Sequence, residues 1–306
     1  MDHPAPLILR GQTFDAGRPA VMAIINRTSD SFYARARFAD PDAALQRLDQ
    51  VVAEGADIVD VGAVRAGQEG PHVSAQIEVE RLLPFLSEAR RRYPDLILSV
   101  DTWRSEVVRA VEELDIDLVN DTWAGHDPEL MGVAAAAGLG IVCSHTGGLP
   151  PRTDPVAASY PPEPIGVVAD VVQTLRAAAE RCLAAGVPRE RVLLDPTLDF
   201  GKTTRHSLTV LRHTGDVAAL GFPVLQAISR KDFVGESLDL PADERLYGSL
   251  AASAVAAWLG ATVFRTHDVR ATRQTLDMVA SIRGDRPPSR SVRGEPDHDL
   301  RRRETS

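Results

Sequence analysis

The chain has 306 residues, a length that suits one large α/β domain or two small ones. Hydrophobic residues make up 44% and charged residues 25%, which is the composition of a folded globular protein and not of a disordered chain. The 43 acidic residues outnumber the 34 lysines and arginines, and the net charge of −9 argues against general binding to the phosphate backbone of nucleic acid.

The sequence carries no signal for export or membrane insertion. No apolar run reaches the roughly 18 residues that a membrane-spanning helix needs. The first residues lack the basic segment and apolar core of a signal peptide. With only two cysteines, Cys143 and Cys182, no disulfide framework can be recognised. We therefore expect a cytoplasmic protein that binds neither membranes nor nucleic acid.

Eight short apolar runs alternate along the chain with segments of helical spacing. Runs that are apolar throughout are typical of parallel strands covered on both faces by helices. Eight such units in about 250 residues predict a (β/α)8 TIM barrel, with a doubly wound sheet as the alternative. The predicted strands are Val21–Ile25, Ile58–Val61, Leu96–Val100, Leu118–Asn120, Ile141–Cys143, Val192–Leu194, Val224–Ile228 and Thr262–Phe264.

A change of composition near Gly284 marks the end of the predicted barrel. Beyond it the chain is rich in proline, arginine and acidic residues, which suits a polar extension and not a packed core. We therefore predict a single barrel domain over residues 1–284 and a flexible tail over residues 285–306.

Polar or charged residues follow every predicted strand at its C-terminal end, where barrels of this type carry their active sites. Contact with water accounts for any one of them, but less well for the joint pattern. Because buried carboxylates need partners, a mouth with both signs of charge indicates a site for a polar heterocycle and an anion. The strand-end residues include Asn26, Asp60, Asp101, Asn120, Ser144, Asp195, Ser229, Lys231, Arg265 and His267.

The motifs at these strand ends resemble those of the dihydropteroate synthase family, in the same order along the chain. The family's Ser-Val-Asp-Thr occurs at residues 99–102, and its Asp-Pro-Gly-x-Gly-Phe-Gly-Lys is similar to Asp-Pro-Thr-Leu-Asp-Phe-Gly-Lys at 195–202. The resemblance runs from Val21 to Val269 and implies an eight-fold barrel in a protein that is usually a homodimer. The other matching segments are 26–32, 120–121, 229–231 and 265–269.

The family joins a dihydropterin methyl pyrophosphate to p-aminobenzoate and releases pyrophosphate in the presence of Mg²⁺. By matching position, the resemblance implies that Asp101, Asn120 and Asp195 bind the edges of the pterin ring. It also implies that Lys231 lies against the ring and contributes its positive charge to catalysis.

The resemblance also assigns an anion site. Asn26, Arg265 and His267 would hold the pyrophosphate, and Asn26 would help to position Mg²⁺. In the family's reaction the leaving group departs first and the aryl amine then attacks a stabilised carbocation. Catalysis by Lys231, Arg265 and His267 would therefore be chiefly electrostatic.

The sequence departs from the family on the side that would take p-aminobenzoate. The family's second loop is Gly-Gly-Glu-Ser-Thr-Arg-Pro-Gly, whereas residues 62–69 are Gly-Ala-Val-Arg-Ala-Gly-Gln-Glu. An ungapped match puts Ala66 and Gly67 at the places of the Thr-Arg pair, which helps to order the acceptor site. Arg65 is the substitute within reach, but it lies two positions earlier than the family's arginine.

Two further differences add negative charge. Asp232 replaces a serine that helps to bind the p-aminobenzoate carboxylate, and Asp199 replaces a glycine. If Asp232 points into the site, two like charges about 4 Å apart repel by about 1 to 4 kcal/mol, a roughly tenfold to thousandfold loss of affinity. The alternative is that Asp232 pairs with Arg230 or a loop arginine. The altered acceptor site is predicted at Arg65, Ala66, Gly67, Phe200 and Asp232.

The sequence therefore indicates a dihydropteroate synthase-fold protein that retains a pterin and pyrophosphate pocket but is weak or inactive in condensation. In this it is similar to the second-copy, actinobacterial homologues of the family. One alternative is an active synthase that uses Arg65 or Arg35 for the carboxylate. Others are a non-catalytic dimeric scaffold built on the Ala-rich segment 250–260, and a methyltetrahydrofolate-binding methyltransferase, which the last two motifs disfavour.

Overall fold

A computed structural model describes residues 5–27, 41–64, 73–153, 158–160, 162 and 166–293. Helices and strands alternate through these ranges. The strands are β1 Leu7–Leu9, β2 Gln12–Phe14, β3 Ala20–Asn26, β4 Ile58–Gly62, β5 Ile97–Asp101, β6 Leu118–Asp121, β7 Gly140–Ser144, β8 Val192–Asp195, β9 Leu225–Ala227 and β10 Val263–Thr266. The helices are α1 Pro41–Ala53, α2 Ala75–Arg92, α3 Ser105–Val111, α4 Leu130–Ala136, α5 Gly166–Ala184, α6 Thr204–Arg212, α7 Thr214–Ala218, α8 Asp232–Leu238, α9 Leu246–Trp258 and α10 Val269–Arg283.

The last eight strands form one parallel barrel. Hydrogen bonds join neighbouring strands in the order β8-β7-β6-β5-β4-β3-β10-β9. A parallel bridge between Leu194 and Val224 joins the two ends of this sheet, so the strands close on themselves. The predicted (β/α)8 barrel is therefore confirmed, and the doubly wound alternative is wrong. Each of the eight predicted strands is present, with ends that differ by no more than two residues.

Side chains of the barrel strands alternate between two apolar layers, as the two-residue period of a strand requires. Val59, Val119 and their equivalents pack outward against the helices. Ile58 and Leu118, one position before them, fill the lower barrel. The next inward positions are polar on most strands, with Asp60 and Asn120 among them, whereas β3 has Ile24 there. The alternation therefore turns the strand-end polar residues toward the barrel axis.

An antiparallel hairpin of β1 and β2 covers the N-terminal end of the barrel. Leu7, Leu9 and Phe14 are fully buried and belong to the same apolar cluster as the inward residues of the barrel strands. The hairpin could not be predicted from the sequence, because each of its strands has only three residues. It seals the end of the barrel opposite the polar mouth.

The last helix ends at Arg283, and Gly284 follows it with φ of +82° in the left-handed region that glycine adopts readily. Just beyond this point Arg286 pairs with Asp277 of α10 at 2.6 Å. The predicted domain limit at residue 284 stays a prediction, and residues 294–306 lie outside the described ranges. None of the helices within those ranges is long and apolar enough to cross a membrane.

Candidate functional site

The centre of the barrel mouth is an arginine held between two carboxylates. From β10, Arg265 donates through Nε to Asp60 Oδ2 at 2.6 Å and through Nη2 to Asp101 Oδ2 at 2.7 Å. The carboxylates end or nearly end β4 and β5, so the guanidinium reaches across β3 inside the barrel. Asp60 is fully buried, and such a charge is tolerated only with a partner of opposite sign.

Asp60 is the hub of a wider polar network. Ser99 donates to its Oδ1 at 2.6 Å, and the Asn120 side-chain amide donates to its Oδ2 at 3.0 Å. Asp101 also accepts a hydrogen bond from the Thr122 hydroxyl at 2.8 Å. The network fixes the Asn120 amide with its oxygen available for another partner. Asp60 is one of the predicted strand-end residues, but it is not among the predicted site residues, because the family motifs assign it no role.

Burial shifts the ionisation of the carboxylates at the mouth. Burial, with the charge of Asp60, raises the pKa of Asp101 to about 7 against the lowering effect of Arg265. Burial also raises the pKa of Asp195, against the lowering effect of Lys231. Asp195 Oδ1 accepts the Thr197 backbone N–H at 2.7 Å. Its other oxygen accepts no hydrogen bond from the residues that the structure describes.

Lys231 follows β9, the strand that pairs with β10, which carries Arg265. Its ammonium donates to the backbone carbonyl of Leu198 and lies 5.0 Å from the centre of the Phe200 ring, a cation–π distance. The edge of Trp123 meets the same ring with 5.5 Å between centroids. Burial lowers the pKa of Lys231, and the charges of Asp199 and Asp195 oppose the change. The Phe200 ring and the Lys231 ammonium thus border the mouth together.

His267 and Asn26 stand at the rim. The His267 ring nitrogen Nδ1 lies 3.1 Å from Ser229 Oγ, and burial together with the Arg265 charge lowers the pKa of His267 to about 4. A Cβ placed on Gly62 would lie 3.5 Å from both Asn26 Oδ1 and Asp101 Oδ2. The side chains predicted to bind pterin and pyrophosphate therefore all lie at or just beyond the C-terminal ends of the barrel strands.

Comparisons with known proteins agree with this geometry. A family model described as pterin binding enzyme matches residues 22–267. The dihydropteroate synthase of Haemophilus influenzae is 33% identical over 270 residues, which is 88% of this chain and 96% of that protein. The chain belongs to the dihydropteroate synthase family of pterin-binding enzymes. The predicted family is confirmed.

Two further relatives mark its place in the family. The protein named inactive dihydropteroate synthase 2 of Mycobacterium leprae is 52% identical over 287 residues, covering 94% of this chain and 98% of that protein. The structure of a Coxiella burnetii dihydropteroate synthase in complex with pteroic acid is 31% identical, with a TM-score of 0.80, over 92% of this chain and 100% of that one. The chain is thus more similar to the inactive type than to this synthase.

On the acceptor side, Asp232 does not behave as the repulsive charge that the sequence suggested. Its carboxylate pairs with Arg245 Nη1 at 2.7 Å, and its side chain is 63% exposed. Arg230 pairs instead with Asp268 at 2.9 Å. The alternative, pairing with a loop arginine, is therefore what the structure has, because Arg245 in the turn before α9 comes within reach.

A different carboxylate, that of Asp199, contacts the backbone that follows Lys231. Asp199 Oδ2 accepts the backbone N–H groups of Asp232 at 2.7 Å and of Phe233 at 3.3 Å. Burial raises the pKa of Asp199, while Lys231 opposes the rise. From the sequence, Asp199 is predicted only to add negative charge. Its contact with α8 could not be predicted, because it spans 33 positions along the chain.

Lys202, the second lysine of the strand-end loops, is not available to a ligand. Its ammonium is buried and donates to three backbone carbonyls, those of His145, Thr197 and Phe200, at 2.8, 3.1 and 2.8 Å. Burial and the charge of Lys231 lower its pKa to about 7. Lys202 therefore ties the end of β7 to the loop after β8 and holds that loop in shape.

Part of the predicted acceptor site lies outside the described residues. This applies to Arg65, Ala66 and Gly67 of the second loop and to the first loop beyond Arg27, with Arg35 in it. Of the predicted acceptor residues, Phe200 and Asp232 are described. Their assignment to an acceptor site stays a prediction.

Proposed function

We propose that this chain binds a pterin pyrophosphate in the barrel mouth and is weak or inactive in joining it to p-aminobenzoate. The observation that carries the proposal is the convergence of Asp101, Asn120 and Asp195 around Arg265 inside one barrel. A pterin ring presents N–H donors beside nitrogen and oxygen acceptors. Carboxylate acceptors together with an amide that both donates and accepts complement such an edge.

In the proposed complex each residue acts through the contacts described above. Asp195 would accept from the ring with its second oxygen, and Asn120 would present its amide oxygen, which the bond to Asp60 orients. Lys231 and Phe200 would flank the ring face. Arg265 would keep Asp101 ionised by its positive charge, so that Asp101 can accept from ring N–H groups.

The pyrophosphate would lie at the rim, near Asn26, Arg265 and His267. Arg265 is the permanent cation of this set and would stabilise the charge that builds on a departing pyrophosphate. His267 is neutral at pH 7 by its depressed pKa, so it would act first as a hydrogen-bond partner. An anion bound beside it would raise that pKa.

Mg²⁺ fits this rim as an ion that arrives with the pyrophosphate. Among the described residues no group of three or more His, Cys, Asp or Glu is placed to hold a metal. The side-chain oxygen of Asn26, near Gly62, is a suitable ligand, whereas Asp101 Oδ2 already accepts from Arg265. Mg²⁺ is usually held by one or two protein oxygens together with substrate phosphates. Once bound, it would neutralise the leaving pyrophosphate.

Weak condensation is the proposed state of the acceptor side. Support comes from the 52% identity to a protein named inactive dihydropteroate synthase 2 and from the Asp199 carboxylate next to Lys231. An active synthase that uses Arg65 or Arg35 is the main alternative. The complexes of related synthases with pteroic acid and with a sulfonamide drug are properties of those proteins and set the expectation for this one.

Calorimetry and a condensation assay test the two halves of this proposal. Dihydropterin methyl pyrophosphate should bind the wild-type protein, and Asp195→Asn should weaken that binding by about tenfold or more, because a charged acceptor is lost. Asp239→Asn, an exposed site, serves as the control. Robust turnover of the wild-type protein at micromolar p-aminobenzoate would contradict the proposed inactivity. A lack of heat with the pterin pyrophosphate and with pyrophosphate alone would favour a scaffold.

We further propose that the protein is a cytoplasmic homodimer that does not bind nucleic acid. Helix α9 carries no charged residue, and its exposed side chains include Tyr247, 82% exposed, and Trp258, 50% exposed. On the neighbouring α10, Met278 and Ile282 are 59% and 62% exposed. Such an exposed apolar face is typical of an interface. A second copy suits it, because an apolar face can pack against itself about a two-fold axis.

A further inference from the structure

The backbone of Asp199 has a conformation that aspartate rarely adopts. Its φ is +70°, in the left-handed region that favours glycine, and the family pattern has glycine at this position. A residue other than glycine costs roughly 1 kcal/mol or more there, although asparagine and aspartate are the best tolerated. The strain is offset by hydrogen bonds that only a short acceptor side chain at this place can make.

Both carboxylate oxygens of Asp199 have donors. Oδ2 accepts the backbone N–H groups of Asp232 and Phe233, and Oδ1 accepts the Ser207 hydroxyl at 3.2 Å. The Asp199 backbone N–H in turn donates to the Ser207 oxygen at 3.0 Å. Both oxygens of this carboxyl group accept hydrogen bonds and neither donates one. This is the hydrogen-bonding pattern of an ionised carboxylate. Its position is thus fixed from three sides.

The carboxylate lies on the face of the mouth that Lys231 and Phe200 border. Asp199 immediately precedes Phe200 in the chain, and its N–H donors immediately follow Lys231. Asp195 and Asp199 both act electrostatically on Lys231, as they do on the buried Lys202. Since the Asp232 carboxylate pairs with Arg245, Asp199 is the departure from the family pattern that adds negative charge beside Lys231.

We propose that Asp199 is a specificity-determining residue that bars anionic acceptors from the mouth and leaves it open to uncharged aryl amines. The proposal rests on the proposed function, because it takes the pterin pyrophosphate pocket as given. Asp199 occupies the two backbone N–H groups that follow Lys231, so these donors are closed to an incoming carboxylate, and its charge repels such a group. An amine without a carboxylate meets neither obstacle.

Two substitutions separate charge from space. Asp199→Asn removes the charge and keeps an oxygen acceptor for the N–H groups, and Asp199→Gly also frees those groups. Both residues tolerate a φ of +70°. Asp239→Gly is the matched control, because Asp239 is an exposed aspartate with φ of +54° at the end of α8. Urea unfolding of all three variants verifies that they fold.

Calorimetry on protein saturated with a pterin and pyrophosphate supplies the measurement. The affinity for p-aminobenzoate should rise at least about tenfold in both Asp199 variants, the effect of removing one close like charge. The affinity for neutral p-aminobenzamide should change by less than about twofold, within ordinary surface effects. Asp239→Gly should alter neither.

The outcomes distinguish this inference from the function on which it rests. Normal binding of pterin and pyrophosphate without a gain in either Asp199 variant would overturn the inference alone, whereas a gain confined to Asp199→Gly would support it through the occupied N–H groups and not through the charge. Tight p-aminobenzoate binding by the wild-type protein would also overturn it. Absence of pterin and pyrophosphate binding in every variant would remove the proposed function and the inference together.

Discussion

One arginine sets the electrostatics of the barrel mouth. Arg265 forms ion pairs with Asp60 and Asp101 at 2.6 and 2.7 Å, and the Asp60 side chain has no exposed surface. Burial is the main cause that raises the pKa of Asp101 to about 7; the nearby Asp60 charge adds to the rise, and Arg265 opposes it. The ability of Asp101 to accept hydrogen bonds from a ligand near neutral pH therefore depends on Arg265.

Replacement of Arg265 by methionine should destabilise the fold by about 3 to 5 kcal/mol, because it leaves the buried Asp60 without its cation. The pKa of Asp101 should rise further above 7. Urea unfolding measures the first effect, and a carbon-detected NMR titration of the carboxyl groups measures the second. Arg109→Met is the control, since both members of the Arg109–Glu129 pair are at least half exposed. That pair should contribute less than about 1 kcal/mol.

His267 should make the free energy of unfolding depend on pH in the acid range. The pKa of His267 is lowered to about 4 in the folded protein, against about 6.5 in an unfolded chain. As pH falls from 6.5 to 4, His267 becomes protonated in the unfolded chain but stays neutral in the folded protein. The contribution of His267 is thus complete above pH 6.5 and is lost toward pH 4.

Denaturant curves of the wild-type protein and of His267→Asn at several pH values test this sign. The difference in unfolding free energy should be constant above pH 6.5 and should shift against the wild type by about 2 kcal/mol toward pH 4. A difference that stays level over the whole range would show that His267 is not held neutral.

At the scale of elements, the β1–β2 hairpin and the loop after β8 complete the barrel at its two ends. The hairpin inserts Leu7, Leu9 and Phe14 into the lower barrel. The loop after β8 is held by Lys202 and by close packing at Gly201, where a Cβ would collide with the carbonyl of Thr146. The hairpin contributes apolar burial, and the loop fixes the direction of Asp199.

Phe14→Ala should cost about 3 to 5 kcal/mol, because it leaves a cavity at the sealed end of the barrel. Unfolding in urea at constant pH measures the change. Val292→Ala, at a position 64% exposed, should change the unfolding free energy by less than about 0.5 kcal/mol. Equal losses in the two variants would mean that the hairpin does not belong to the cooperative core.

At the scale of the whole molecule, the polar mouth and the α9–α10 face are separate surfaces. The mouth lies at the C-terminal ends of the strands, whereas the apolar residues lie on the outside of two helices that pack side by side. Association through that face would leave the inward side chains of the barrel in place. Ligand binding and dimer formation can therefore be tested independently.

Trp258→Asp should convert a dimer to a monomer, because it buries a charge without a partner within the apolar face. Sedimentation velocity or light scattering gives the mass. Ile77→Asp, at a 40% exposed position on α2, is the control and should stay dimeric. A monomeric wild-type protein at micromolar concentration would contradict the dimer.

The sequence by itself determined the barrel and the set of side chains at its mouth. Eight apolar runs, each with polar residues at its C-terminal end, predict that Asp101, Asn120, Asp195 and Arg265 lie together at one end of a barrel. The family motifs add chemical roles to those positions. The hairpin escaped prediction, because strands of three residues leave too short a pattern to detect.

Only the tertiary structure decided how the charges pair. Asp232 turns to Arg245, Asp199 reaches across 33 positions to the start of α8, and Arg265 bridges carboxylates 205 and 164 positions away. A carboxylate in a loop has several possible partners, and the choice depends on which distant donors the packed barrel brings within about 3 Å. Residue order does not contain that information, because the distances arise from the packing of segments far apart in the chain.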